Sequence, residues 1–223
     1  MNALIRKDNI VDAFSSGRCP ICFLLQQDEF AYLCHWVGVS DEKDRASEER
    51  VRLLKSKGFC NYHFWEFNRI SGYYGSAEIG MTIIEKVIAL FKNEGREALL
   101  ADLLKHYHEL DCPLCADMKE KEIGYIKELI SLFESNENRS KYATGLGLCI
   151  PHLIKTVIKA KDDSLAFFLF EAQKEGMEMV KLHAKEFIRK RHPPLSWEQT
   201  KDEENSGVRA IEKLVGRPGQ KIC

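Results

Sequence analysis

The sequence predicts an all-α protein made of two related helical units, on three observations. Apolar residues recur at helical spacing along most of the chain, and no run shows the sustained alternation of a strand. Two motifs that contain cysteine and histidine occur twice in the same order. The 223 residues, 44% hydrophobic and 30% charged, are enough to form one large or two small globular domains.

The duplicated motifs define the predicted organisation of the chain. Cys19-Pro-Ile-Cys22 recurs as Cys112-Pro-Leu-Cys115, and the GFCNYH sequence that begins at Gly58 recurs as GLCIPH from Gly147. We interpret this as an internal duplication with a pseudo-twofold arrangement. The predicted boundaries are a first metal-binding repeat at 1–108, a second at 109–192, and a linker with a C-terminal tail at 193–223.

Each repeat is predicted to begin with a helix that follows its CPxC motif, over residues 23–37 and 116–133. A proline in the first turn of a helix is favourable, which suits both CPxC motifs. Gly58 and Gly147 are expected to end helices immediately before the CxxH turns.

Further helices are predicted from apolar stripes. The charged segment 41–57 offers three core residues, namely Val51, Leu53 and Leu54. A long helix closes each repeat. The stripe of the first comprises Ile79, Ile83, Val87, Leu90 and Phe91, and that of the second, within 165–191, comprises Phe168, Ala172, Met179 and Leu182.

The C-terminal region is predicted to separate from this helical body. Two prolines at 193–194 break the last long helix, and the polar segment 201–207 is typical of a flexible link. Residues 208–215 can form a short helix with four apolar residues on one face. These are Val208, Ile211, Leu214 and Val215.

The repeated motifs supply two sets of three cysteines and one histidine. Zinc favours four such ligands in a tetrahedron, and a pair at i and i+3 near a helix N-terminus can direct two side chains to one point. The positive potential of a helix N-terminus also favours thiolates. Pairing within each repeat gives a first site of Cys19, Cys22, Cys60 and His63. The second site is Cys112, Cys115, Cys149 and His152.

Other interpretations of these cysteines stay open at this point. They can be buried apolar cysteines, or a CPxC dithiol can act in redox chemistry, although the βαβ pattern of a thioredoxin is missing. Iron–sulfur clusters are the alternative to zinc, because three thiolates and a histidine can hold a cluster. Two zinc ions per chain are expected, since histidine occurs in both sets and clusters are mostly held by four thiolates.

The motifs resemble an uncharacterised prokaryotic family of duplicated cysteine- and histidine-containing helical proteins. Its members read CPxC, GFCxxHxW, CPxC and GLCxxHL, and this chain matches over about residues 19–160. One departure is that Trp65 follows His63 by two positions. The resemblance implies the same eight ligands and brings no known activity.

Three further residues could extend a site. Cys34 is expected to be a small core residue, although it could add a ligand, and His106 and His108 are expected at the surface. No hydrolase triad or carboxylate dyad occurs, so an enzyme is not the expected class.

The predicted function is therefore that of a helical binding or scaffold protein that carries structural zinc, with electron transfer or redox-enzyme assembly as the iron–sulfur alternative. A protein partner is expected. With 33 basic and 34 acidic residues, the net charge of −1 provides no general attraction for nucleic acid. The N-terminus lacks the apolar segment of a signal peptide, and no stretch is long enough to cross a membrane, so a cytoplasmic location is expected.

Overall fold

The computed structural model describes residues 10–41, 52, 55–56, 58–91, 96–108 and 112–219. This described part of the chain is helical and contains no strand, as predicted. Two short 3-10 helices, Asp12–Ser16 and Leu195–Glu198, accompany the α-helices. The α-helices are α1 Pro20–Asp41, α2 Asn61–Leu90, α3 Arg96–His108, α4 Pro113–Leu132, α5 Asn136–Ala143, α6 Ile150–Ala160, α7 Asp163–Arg189, α8 Lys201–Glu204 and α9 Ser206–Val215.

The chain folds into two compact units. Unit 1 comprises Met1–Gln27 and Lys121–Cys223, and unit 2 comprises Asp28–Glu120. The division falls inside α1 and inside α4, so each of these two helices contributes residues to both units. The compact units therefore follow a different partition from the predicted sequence repeats 1–108 and 109–192, which remain a prediction about duplication.

An aromatic cluster forms part of the core of unit 1. Phe133 and Tyr142 are almost fully buried, with ring centroids 4.9 Å apart in an edge-to-face arrangement. Phe14 packs against Tyr142 at 5.3 Å, and Phe168 against Phe133 at 5.4 Å. Such pairs add specific geometry to the burial of large apolar surfaces. The cluster thereby packs the segment that contains Phe14 and α7 against α5 and the end of α4.

Unit 2 has its own core around Phe59, which lies next to the cysteine of the first CxxH motif. Phe59 contacts Trp36 of α1 edge to face at 5.5 Å and lies 5.7 Å from Phe67 of α2. Leu33 and Leu114 are buried in the same cluster. The residues that precede a ligand are thus held by apolar packing as well as by the backbone.

The predicted first helices are confirmed, since 23–37 lies within α1 and all of 116–133 except Phe133 lies within α4. The long helix of the first repeat is interrupted at Gly72, where φ is 64° and ψ is −163°. The predicted core residues Val51, Leu53 and Leu54 lie outside the described residues.

The predicted stripe of α7 is only partly correct. Ala172 is buried as expected, but Met179 and Leu182 are about half exposed. The buried face instead runs through Leu165, Leu169, Ala172, Gly176 and Val180. The stripe fails at Leu182 because that residue lies roughly a third of a turn from the centre of the buried face at 3.6 residues per turn.

The C-terminal region departs further from the prediction. Residues 201–207 are not a flexible link, because Thr200 and Glu203 form a capping box that starts α8. The predicted short helix is confirmed as α9, but its apolar face points to solvent, with its four residues 51–62% exposed. The residues of α9 that are buried are Ser206 and Lys213. Among the described residues, no helix combines the length and apolar character that crossing a membrane requires.

Candidate metal centres

The eight predicted ligands form two compact groups, and the structure corrects how they pair. We call them centre 1 and centre 2. Centre 1 consists of Cys19, Cys22, Cys149 and His152, and centre 2 of Cys60, His63, Cys112 and Cys115. In each group all the ligand atoms lie within 4.8 Å of one another.

The predicted pairing within each repeat is therefore wrong. Each centre joins the CPxC motif of one predicted repeat to the CxxH motif of the other. The physical reason is the partition of the chain, because unit 1 contains the beginning of the first repeat together with most of the second. The four ligands of centre 1 all belong to unit 1, and those of centre 2 all belong to unit 2.

The CPxC motifs place their cysteines at helix N-termini. Pro20 and Pro113 are the first residues of α1 and α4, where a missing N–H costs nothing. The carbonyl of Cys19 accepts the first helical hydrogen bond from Phe23 at 2.9 Å. Each motif thus holds one sulfur just before the helix and another in its first turn, both directed to one point.

The CxxH motifs also place their ligands at helix N-termini. Cys60 and Cys149 have extended backbones, with φ, ψ of −67°, 167° and −77°, 160°, and immediately precede α2 and α6. Gly58 and Gly147 have φ values of 101° and 72°, in the region that favours glycine. Gly147 follows a short loop after α5 instead of ending that helix.

In centre 2, the histidine nitrogen lies close to all three sulfurs. His63 Nδ1 lies 3.3 Å from the sulfurs of both Cys60 and Cys112, and 3.4 Å from that of Cys115. The sulfurs of Cys60 and Cys115 are 3.6 Å apart. Cys115 is the most accessible of these ligands, because it is only partly buried whereas the other three are buried.

Centre 1 has nearly the same dimensions. His152 Nδ1 lies 3.2 Å from the sulfur of Cys149 and 3.4 Å from the sulfurs of Cys19 and Cys22. The sulfurs of Cys22 and Cys149 are 3.8 Å apart. All four ligands are buried. Both centres therefore direct three sulfurs and one imidazole nitrogen to a common point.

A carboxylate orients each histidine from its other side. His63 Nε2 lies 2.7 Å from Glu29 Oε1, and His152 Nε2 lies 2.8 Å from Glu122 Oε1. Because a carboxylate accepts hydrogen bonds, each Nε2 carries the donated proton and Nδ1 is the atom that faces the sulfurs. Metal-ligating histidines are generally held in this way. Glu122 also accepts from Lys155 Nζ at 3.0 Å.

Sequence reasoning missed these carboxylates, although a signal was present. Glu29 and Glu122 each follow the second cysteine of a CPxC motif by seven residues, so they match at the same offset as the motifs themselves. Seven residues are about two helical turns, which keeps cysteine and carboxylate on one face of the helix.

The side chains of centre 2 perturb one another strongly. Burial lowers the pKa of His63, but hydrogen bonds with Cys112, Cys60 and Glu29 outweigh it and raise the pKa to about 11. Hydrogen bonds with Cys112 and Cys115 hold the pKa of Cys60 far below its ordinary value. Hydrogen bonds with Cys112 and Cys60 raise the pKa of Cys115. Such a site is acidic at one sulfur and basic at the imidazole, so a metal that binds there displaces protons.

Centre 1 follows the same logic in a more buried setting. Burial raises the pKa of Cys19, but hydrogen bonds with Cys149 and Cys22 and the charge of His152 bring it well below its ordinary value. Hydrogen bonds with Cys149 and Cys19, together with burial, raise the pKa of Cys22. Thiolate character therefore concentrates on the first cysteine of the CPxC motif.

A buried lysine lies beside centre 1. Lys213 Nζ of α9 donates to the carbonyl of Leu148 at 2.9 Å, next to the ligand Cys149. Burial lowers the pKa of Lys213 to about 8, while the charges of Cys19, Cys149 and Cys22 act in the opposite direction. The ammonium group of Lys213 therefore interacts electrostatically with these three cysteines.

The donor set and its dimensions fit a single metal ion. With metal–sulfur bonds near ~2.3 Å, a tetrahedral ion spaces its sulfur ligands about 3.8 Å apart. The sulfurs of Cys60 and Cys115 in centre 2 are 3.6 Å apart, and those of Cys22 and Cys149 in centre 1 are 3.8 Å apart. The described cysteines form no disulfide, so their thiols remain available as ligands.

The remaining candidate residues do not join either centre. Cys34 is exposed, so its expected place in the core is wrong, and it is not part of either ligand group. It lies next to buried Leu33 on α1, and a shift of one residue moves a side chain by more than a quarter turn. The side chains of His106 and His108 lie outside the described residues.

Comparison with known proteins confirms the resemblance to an uncharacterised family. The model of a family of unknown function, DUF6062, matches residues 1–221. Searches of curated proteins and of solved structures find no match.

Proposed function

Because the chain belongs to this family of unknown function, we propose its role from the geometry of the two centres: a helical binding or scaffold protein stabilised by two structural zinc ions. The observation that carries the proposal is the closed ligand set. Each centre brings four protein ligands within 4.8 Å of one another. Four protein ligands complete a tetrahedron and leave no position for a substrate water, which is typical of structural zinc.

Zinc is favoured over an iron–sulfur cluster by the spacing of the ligands. A polynuclear cluster places two or more metal atoms between its ligands, so sulfurs on different metal atoms lie further apart than the edge of one tetrahedron. Edges of 3.6 and 3.8 Å suit one ion. The histidine in each centre acts in the same direction, since clusters are mostly held by four thiolates.

Elemental analysis of anaerobically purified protein tests this proposal. We expect two zinc ions per chain, one after Cys60→Ser, one after Cys149→Ser, and two in the control Cys34→Ser, whose thiol is exposed and outside both centres. Iron with inorganic sulfide and a brown colour would contradict zinc and favour the electron-transfer alternative. A folded protein without metal would contradict both.

We also infer that the chain arose by duplication with a pseudo-twofold relation, and that the two centres exchange their CPxC motifs. The equal spacing of Cys22 to Glu29 and of Cys115 to Glu122 supports this, as do the matched carboxylate–histidine contacts. If the duplication holds, X-ray absorption at the zinc edge should give the same sulfur and nitrogen coordination for both centres, measured separately in Cys60→Ser and Cys149→Ser.

Hydrogen exchange of Cys22→Ser tests the exchanged pairing itself. Loss of centre 1 should increase amide exchange at 147–153, where its partner ligands lie, and leave 58–63 protected. Increased exchange at 58–63 instead would restore the pairing within each repeat.

A scaffold of this kind implies a protein partner. The net charge of −1 gives no general positive field that would attract nucleic acid. Titration with single- and double-stranded nucleic acid at several salt concentrations discriminates the two, because salt-sensitive binding would assign the protein to nucleic-acid regulation and contradict a purely protein-binding role.

A further inference from the structure

The last described helix, α9, bridges the two segments that bear the ligands of centre 1. Arg18, which directly precedes Cys19, donates from Nε and Nη2 to the two carboxylate oxygens of Glu212, at 3.1 and 2.5 Å. The next residue, Lys213, donates to the carbonyl of Leu148 at 2.9 Å. Neighbouring residues of α9 therefore hold the CPxC segment on one side and the CxxH segment on the other.

These polar contacts add to the packing of α9 against α7. The ten-residue helix has Ser206 and Lys213 as its buried residues, whereas its four apolar residues are 51–62% exposed. An isolated helix of this length is marginal in water and normally depends on packing of an apolar face. That face points to solvent here, so α9 is held by its packing against α7 and α6 and by the polar side chains that bind the two ligand segments.

We propose that metal binding at centre 1 and docking of α9 are thermodynamically coupled, through the bridge that Glu212 and Lys213 make between the two ligand segments. The inference rests on the proposed metal binding. The metal joins Cys19 and Cys22 to Cys149 and His152, and α9 joins the residues just before Cys19 and Cys149. A bound metal fixes the two segments to which α9 docks, and a docked α9 fixes the two segments that bear the metal ligands. Metal binding therefore increases the equilibrium constant for docking by the same factor as docking increases that for metal binding.

Charge contributes to the same coupling. Three thiolates exceed the charge of a divalent ion by one, so a zinc-loaded centre is an anion beside the Lys213 ammonium. Burial disfavours the charged form of Lys213 and lowers its pKa, whereas the negative charge of the three cysteines favours the charged form. A buried cation without such compensation is costly. The loaded centre therefore favours a docked α9 beyond the geometric effect.

Centre 2 provides the internal contrast. Lys86 of α2 makes a contact similar to that of Lys213, because its Nζ donates to the carbonyl of Ser56 at 2.7 Å. Burial lowers the pKa of Lys86. Ser56 is four residues from Cys60. Lys86 is therefore a matched control, being a partly buried lysine bound to a carbonyl near a CxxH motif.

Zinc release to a chelator tests the coupling in the full-length chain. Cys60→Ser leaves centre 1 as the only centre, and Cys149→Ser leaves centre 2. We expect Lys213→Met and Glu212→Gln each to accelerate release from centre 1 at least about fivefold, the lower range of typical coupling. Lys86→Met should leave release from centre 1 unchanged, and Lys213→Met should leave release from centre 2 unchanged.

The reciprocal effect is measured by hydrogen exchange over residues 206–215. Removing the metal from centre 1 by Cys149→Ser should increase exchange in α9, whereas Cys60→Ser should not. If both centres bind zinc but neither α9 variant alters release from centre 1, the coupling is refuted and the metal centres stand. If wild-type protein binds no metal, the proposed function itself fails. Because Glu212→Gln nearly preserves shape, it still reports if Lys213→Met does not fold.

Discussion

The carboxylate behind each histidine offers the sharpest test of the metal centres, and Glu29→Gln is the variant of choice. Glu29 Oε1 lies 2.7 Å from His63 Nε2, and the two side chains are only 6% and 5% exposed. Glutamine keeps the shape and can still accept from Nε2, but it removes the negative charge. The substitution therefore isolates the charge of the carboxylate from its packing.

The magnitude follows from the kind of hydrogen bond that is lost. A bond to a charged group contributes about 1.5–3 kcal/mol and a neutral one about 1 kcal/mol. The loss is therefore about 0.5–2 kcal/mol, and little of it is screened because the pair is shielded from water. Since 1.4 kcal/mol is a factor of ten, zinc should bind centre 2 roughly 2- to 30-fold more weakly. The upper part of this range overlaps the 10- to 100-fold effects typical of such residues.

Competition with a chromophoric chelator measures this effect in the Cys149→Ser background, where centre 2 binds alone. Glu66→Gln is the matched control, because Glu66 lies on α2, three residues after His63, and pairs with exposed Arg69 at 2.6 Å. Exposed ion pairs contribute little, so this variant should bind zinc normally. Equal zinc affinity of Glu29→Gln and wild-type protein would refute the proposed role of the carboxylate.

Two further predictions concern stability and thiol reactivity. Gly176→Ala should lower the free energy of unfolding of zinc-loaded protein by about 1–3 kcal/mol in denaturant titration, because a Cβ there would lie 2.5 Å from the carbonyl oxygen of Leu146. Gly124→Ala, with nothing within 4 Å of the new Cβ, should leave it unchanged or raise it by up to ~1 kcal/mol, and equal losses would contradict the steric reason. The second prediction concerns zinc-loaded protein with Cys223→Ser, in which a maleimide should label the exposed thiol of Cys34 first. Peptide mass spectrometry identifies the labelled cysteine. Modification of the metal ligands at the same rate would indicate that the centres are open.

The ligands could be predicted from the sequence because their chemistry is local. A cysteine pair at i and i+3 with a proline between them indicates the start of a helix. The structure places Pro20 and Pro113 at the first position of their helices. The pairing of the motifs could not be predicted in this way. Two identical ligand sets result whether Cys19 meets Cys60 or Cys149, so composition and spacing favour neither arrangement.

The apolar stripes show the limit of periodicity. Periodicity identified the helix that contains Val208 and Ile211, but not the direction in which its apolar face points. That direction depends on what the opposite face can bind, and here Lys213 and Glu212 find partners more than 60 residues away in sequence. Long-range polar contacts of this kind leave no periodic signal in the chain.

The division of α1 and α4 between the two units has a consequence for how such a chain could be assembled or cut. α1 bears Cys22 of centre 1 and Glu29, which orients the histidine of centre 2, while α4 bears Cys115 of centre 2 and Glu122, which serves centre 1. A cleavage between residues 108 and 109, at the predicted repeat boundary, would leave each fragment with half of both ligand sets and no complete one. Under the proposed duplication, an ancestor with a single repeat could have closed these tetrahedra only as a pair of chains, so gene fusion would have placed both halves of each centre on one chain.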